Sequence, residues 1–131
     1  MRRERYNYYT GKNINRITAR YYAMRYNVWL EEYNSLKDSV GAIAADGMPH
    51  GTNVGDPTGR LAERRVELRQ KMELIENTAK ESDPDFCKWI MKHAVDGVSY
   101  EYMNLNDGLY CSRRCFFRKM NKFYLLLAEK I

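Results

Sequence analysis

Phe116, Met120, Phe123 and Leu127 stand at successive spacings of 4, 3 and 4 in the last third of the chain. That spacing places four apolar side chains on one stripe of a helix. Another side of the same helix carries Arg113, Arg114, Arg118 and Lys122, and the stretch from Arg113 to Lys122 holds five cations and no acid. The stripe is suited to burial and the cations to facing an anion. The same helical period returns upstream, so the chain is expected to be all-α.

Ile14, Ile17, Tyr21, Met24 and Val28 form a heptad-like stripe, which drifts to Trp29, Tyr33, Leu36, Val40 and Ile43. One long helix is expected over 13–45. Residues 46–59 hold four glycines and two prolines, which oppose helix and strand interiors alike and mark a loop around His50. The loop lacks the Gly-Lys-Ser/Thr ending of a phosphate-cradling loop. Over 59–80 another helix carries Leu61, Leu68, Met72, Ile75 and Ala79, with Arg65 filling one place in the row. Pro57 fits near its first turn. Two helices with matching stripes suit a long antiparallel hairpin over 13–81. Such a hairpin cannot bury both its faces alone, so a homodimer is expected.

The remaining punctuation lies in 82–131. Ser82 or Asp83 is placed to cap a helix with Pro84 at its first position, and Phe86, Ile90, Met91 and Ala94 supply its apolar face. Asp96-Gly97 turns the chain. Ser99 caps a short helix, Tyr100 to about Asn106, with Met103 inward. Gly108 ends it in the left-handed turn that glycine adopts cheaply. Ser112 caps the long last helix. A helix, a turn and a long basic helix are the outline of a helix-turn-helix, which lays its second helix in the DNA major groove.

On that reading Arg113 and Arg114, near the helix start, are placed for guanine edges. Arg118 and Lys122 suit phosphates, with Asn121 on the same approach. Residues 1–12 form a basic arm. Its Arg2, Arg3 and Arg5, with Arg16 and Arg20 beyond it, extend the phosphate track.

Lys plus Arg exceed Asp plus Glu by 22 to 17, a net charge of +5 and a pI near 9.1, which suits a polyanion. No apolar run is long enough to span a membrane, and the first residues lack the apolar core of a secretory leader. Three cysteines, an odd count, fit a reducing intracellular compartment better than a disulfide frame. Cys111 and Cys115 with Cys87 and His93 do not make a metal-ligand spacing, and the carboxylates of the helices suit surface ion pairs. Neither a cofactor, a metal nor a catalytic constellation is expected. Eleven tyrosines, six of them before Val28, suit a shallow or shared packing surface.

Asp96-Gly97-Val98-Ser99-Tyr100, Gly108, the run Cys111 to Met120 and the closing Phe123-Tyr124-Leu125-Leu126-Leu127 resemble a sigma-factor region-four helix-turn-helix. The version they are similar to is that of small phage transcriptional regulators of the ArpU and RinA type. The Asp-Gly-Met-Pro-His-Gly-Thr phrase at 46–52 is similar to a segment of related phage proteins. The resemblance spans about 15–131. It implies a sequence-specific DNA-binding regulator of phage late or packaging genes, acting in the cytoplasm of a bacterial host. By that likeness Ser99 caps the supporting helix, Met103 is its buried position, and Ser112, Arg113, Arg114, Phe117 and Arg118 form the exposed start of the recognition helix. The chain departs from the pattern at Asn104, at its Asn-Asp-Gly-Leu-Tyr turn and at the large Phe117. Those departures keep open a second expectation: a phage module that binds a host protein such as RNA polymerase or a defence nuclease.

Overall fold

The computed structural model describes residues 11–45 and 57–131, with the side chains of 37–45, 57 and 58 left aside. Among the described residues the chain is helical throughout and contains no strand. The helices are α1 (Gly11–Met24), α2 (Tyr26–Ala45), α3 (Pro57–Ser82), α4 (Cys87–Asp96), α5 (Tyr100–Asn106) and α6 (Arg113–Lys130). The expected loop therefore ends earlier than its composition suggests, because Pro57 opens α3 with its fixed φ and needs no partner for an N–H it lacks. His50 and the rest of 46–56 lie outside the described residues, as do Arg2, Arg3 and Arg5.

The single helix expected over 13–45 is two. At Arg25 the backbone N–H donates to Tyr22 O, three residues back, at 3.1 Å, and the four-residue ladder resumes with Trp29 N–H to Arg25 O at 3.0 Å. No proline or glycine stands there. The two segments pack on different partners: α1 on α6 and α4, α2 on α3. A tight 3₁₀ step re-aims the chain between them.

Cross-links between α2 and α3 descend along one helix as they ascend along the other. The Tyr26 hydroxyl donates to the Glu76 carboxylate, Lys71 sits over the Trp29 ring at 5.5 Å, and Arg64 grips Glu32 with two bonds of 3.0 and 3.2 Å. The two helices thus run antiparallel. Leu68, Met72, Ile75 and Ala79 of α3 are buried, as their spacing requires. Arg65 takes its place in the row by laying its guanidinium 4.8 Å from the Tyr33 ring centroid and donating to the Tyr33 hydroxyl.

One core joins all six helices. Ala19 and Ala23 of α1, Trp29 of α2, the α3 row, Ile90 and Ala94 of α4, Met103 of α5, Leu109 and the α6 stripe belong to it. Phe116, Met120, Phe123 and Leu127 are buried to 1% exposure or less. The α1 stripe behaves otherwise. Tyr21, Met24 and Val28 are 63%, 51% and 58% exposed, and α1 turns Ala19 and Ala23 inward instead. Short side chains let α1 approach α6 closely, and the bulky row is left on the outside.

α4 begins at Cys87, later than the sequence suggests. Asp83 does not start a helix. Its carboxylate accepts from the backbone N–H of Asp85 and Phe86, which shapes a turn over Asp83 to Phe86. Both glycine turns form: Gly97 at φ 68° and Gly108 at φ 75°. After Gly108 the Leu109 N–H reaches back six residues to Met103 O, a closure that satisfies the end of α5.

Candidate nucleic-acid interface

Two serine caps set the direction of α5 and α6. Ser99 accepts from Tyr102 N–H and Ser112 from Cys115 N–H, each at 3.1 Å. They satisfy N–H groups that a helix start leaves without partners. Asn104 donates to Leu109 O at 2.7 Å and Tyr100 donates to Cys111 O, so the segment joining α5 to α6 is held from both ends. With Leu109 buried, α6 starts in a fixed direction.

The expected site residues fall into two groups. Arg113 is engaged: it pairs with Glu101 and lies over the Phe117 ring at 4.9 Å. Phe117 is half-buried rather than exposed, packed by ring edges against His93 at 5.5 Å and Phe116 at 5.3 Å. A large apolar ring at the start of a helix finds the nearest apolar wall, here α4 and α5. Arg114, Arg118 and Lys122 are exposed, and none of them pairs with a described residue. Ser112 is occupied as the cap.

Arg114, Arg118, Asn121 and Leu125 follow one another at 4, 3 and 4, a single outward row of α6. Asn121 ends the polar part of that row and meets α1. Its side-chain oxygen accepts from Arg16 Nη1 at 3.4 Å, and Lys12, Asn13 and Arg16 of α1 gather around it and Leu125. Beside them lies a cleft of about 300 Å³ lined by Arg16, Arg20, His93, Phe117, Asn121 and Tyr124 among others. Four residues assigned to the DNA approach by sequence, on two helices far apart in the chain, thus line one cleft. Burial pushes the Tyr124 phenol up while Arg20 beside it pulls the other way, and the ring forms part of the cleft wall.

His93, Tyr124 and Glu101 belong to the site and have no signal of their own in the sequence. His93 Nδ1 lies 2.8 Å from Val98 O and donates to it, which leaves Nε2 as the remaining ring nitrogen. Among the described residues no group of His, Cys, Asp or Glu is arranged to hold a metal, and no helix is long and apolar enough to cross a membrane. The chemistry on offer is charge, hydrogen bonding and aromatic contact. No family model, characterised protein or solved structure matches the chain.

Proposed function

We propose that the chain is a DNA-binding transcriptional regulator of the phage ArpU and RinA type, that its last two helices act as a helix-turn-helix, and that two copies bind one duplex site. The observation that carries the reading is the outward row of α6. It offers Arg114 and Arg118 without acidic partners among the described residues, Lys122 beside them, and continues through Asn121 onto Arg16 and Arg20 of α1. A groove-reading helix needs such a face, and phosphate contacts on a second helix fix its register. Arg114 reads a base edge, while Arg118, Lys122, Arg16 and Arg20 take phosphates. Arg113 and Phe117 act from behind: the pair with Glu101 and the packing on His93 hold the start of α6 to α4 and α5. No cofactor enters.

The test is fluorescence anisotropy on labelled duplex. Arg118→Ala and Lys122→Ala should each weaken binding across sequences and lower the salt slope by about 0.9. Equal affinity of wild type and the Arg114, Arg118, Lys122 triple alanine variant would end the reading.

A second reading has one observation in its favour. Tyr102, Leu105 and Tyr110, around α5, are 56%, 81% and 84% exposed. Aromatic and leucine side chains held outward on a capped turn suit a protein contact, which is the host-protein module. Retention of a host polymerase or nuclease that survives nuclease treatment, lost in Tyr110→Ser, would favour it.

A further inference from the structure

α1 is inverted relative to its own hydrophobicity. Its alanines face the core, while Ile14, Tyr21 and Met24 are 40%, 63% and 51% exposed and Val28 past the Arg25 step is 58% exposed. Ile17 completes the row at half burial. The spacings are 3, 4, 3 and 4, a seam two positions wide of the kind that packs against an equal seam. The flanks are also specific. Arg20 borders one side, and Thr18 and Arg25 the other; Arg20 and Arg25 make no ion pair with a described residue.

We propose that this row is where two copies of the chain pair, with their α1 helices antiparallel. The charges on the flanks choose the direction. A parallel, in-register pair would set Arg20 of each copy beside Arg25 of the other, like charge against like along both edges. An antiparallel pair centred between Tyr21 and Met24 sets Tyr21 against the partner copy's Met24 and Ile17 against its Val28. Arg25 then meets Thr18 and Arg20 meets Asn27, so no two arginines oppose across the seam. A lipid surface would also accept basic flanks, but a narrow two-position seam is poorer for insertion than the broad apolar face of an interfacial helix. The row is opposite to the buried face of α1, so pairing leaves Arg114, Arg118 and Lys122 of α6 uncovered, while Ile17 and Arg20 bring the seam to the edge of the cleft beside α6. The pairing stands apart from the DNA reading. Only its consequence, a two-fold arrangement of two α6 faces, rests on that reading.

Sedimentation velocity of the full chain without DNA, from low micromolar concentration upward, reads the pairing. A concentration-dependent dimer is expected, and Tyr21→Glu or Met24→Glu should abolish it while circular dichroism stays unchanged and the melting temperature stays that of the wild-type monomer at low concentration, since both side chains are outside the core. Direction is read by cross-linking in a background with Cys87, Cys111 and Cys115 replaced. Ile17→Cys should link to Val28→Cys in a mixture and neither to itself. Self-linkage of each variant would overturn the antiparallel arrangement. A wild-type monomer at every concentration, a dimer that survives both glutamates, or a monomer that binds anionic vesicles through the row would overturn the proposal. Loss of the dimer with duplex binding retained in the glutamate variants would support the pairing and leave the DNA reading intact. A wild-type dimer that does not bind duplex would fail only the latter.

Discussion

Lys119 Nζ lies 2.5 Å from Asp83 Oδ2, and the same ammonium sits 4.3 Å from the centroid of the Phe86 ring. One side chain of α6 thereby closes the turn between α3 and α4. The Lys130–Glu81 pair makes a second tie between α6 and the end of α3. The helix that carries the candidate face is fixed to the scaffold on its opposite side, which is what a rigid reading element requires.

Lys119→Met should therefore destabilise the chain by about 1.5–3 kcal/mol, the scale of a hydrogen bond to a charged group. Burial pushes the Asp83 carboxyl up, but Lys119 and the Phe86 and Asp85 N–H groups outweigh it and hold it below the ordinary value. A folded-state pKa below the unfolded one gives stability that is present above the ordinary carboxylate range and lost as pH falls. Urea midpoints should drop below about pH 4 more steeply in wild type than in the variant. Parallel pH curves would show that the pair contributes nothing.

Tyr26 gives the opposite sign. Burial, then its hydrogen bond to Glu76, pushes its phenol up to about 12. The stabilisation is complete below the ordinary tyrosine value of about 10 and is lost as pH climbs towards about 12. Tyr26→Phe should flatten that part of the alkaline stability curve and remove one late-titrating phenolate from the ultraviolet difference spectrum. An unchanged spectrum would place the late titration elsewhere.

Gly108 holds φ 75°, and a β-carbon there would meet nothing within 4 Å. The cost of Gly108→Ala is then conformational alone, about 1–2 kcal/mol. Thermal melting should show the loss with no change in helix content. A loss well above that range would mean that the α5–α6 segment had moved.

The parts of this fold that were legible in the sequence are those that depend on near neighbours. Ser99, Ser112, Gly97 and Gly108 act within a few residues, and each sits where its chemistry placed it. The α6 stripe was legible because its other sides are too polar to compete for the core. α1 misled because spacing finds a row without saying which way it turns. Ala19 and Ala23, weak by hydrophobicity, won the inner face because α6 lies against them. The site was half legible. Arg114, Arg118 and Lys122 are outward as their register requires. The engagement of Arg113 by Glu101 and the meeting of Arg16 with Asn121, 105 residues away, are tertiary events that no local pattern carries.

Arg113→Ala separates the supporting role from the reading role. With Glu101 released and Phe117 uncovered, stability should fall by roughly 0.5–1 kcal/mol, within the range of exposed pairs and cation–π contacts. The salt slope of duplex binding should stay that of wild type. A slope reduced as much as in Arg118→Ala would mean that Arg113 itself contacts phosphate.

The most direct measurement is selection of wild-type protein on a pool of random duplex DNA at low and at moderate salt, with sequencing of what is retained. Retention that falls steeply with salt, and an enriched motif made of two related halves in opposite orientation, are expected. Retention that ignores salt, or no retention even at low salt, would contradict the DNA reading and turn attention to the exposed Tyr102, Leu105 and Tyr110 surface.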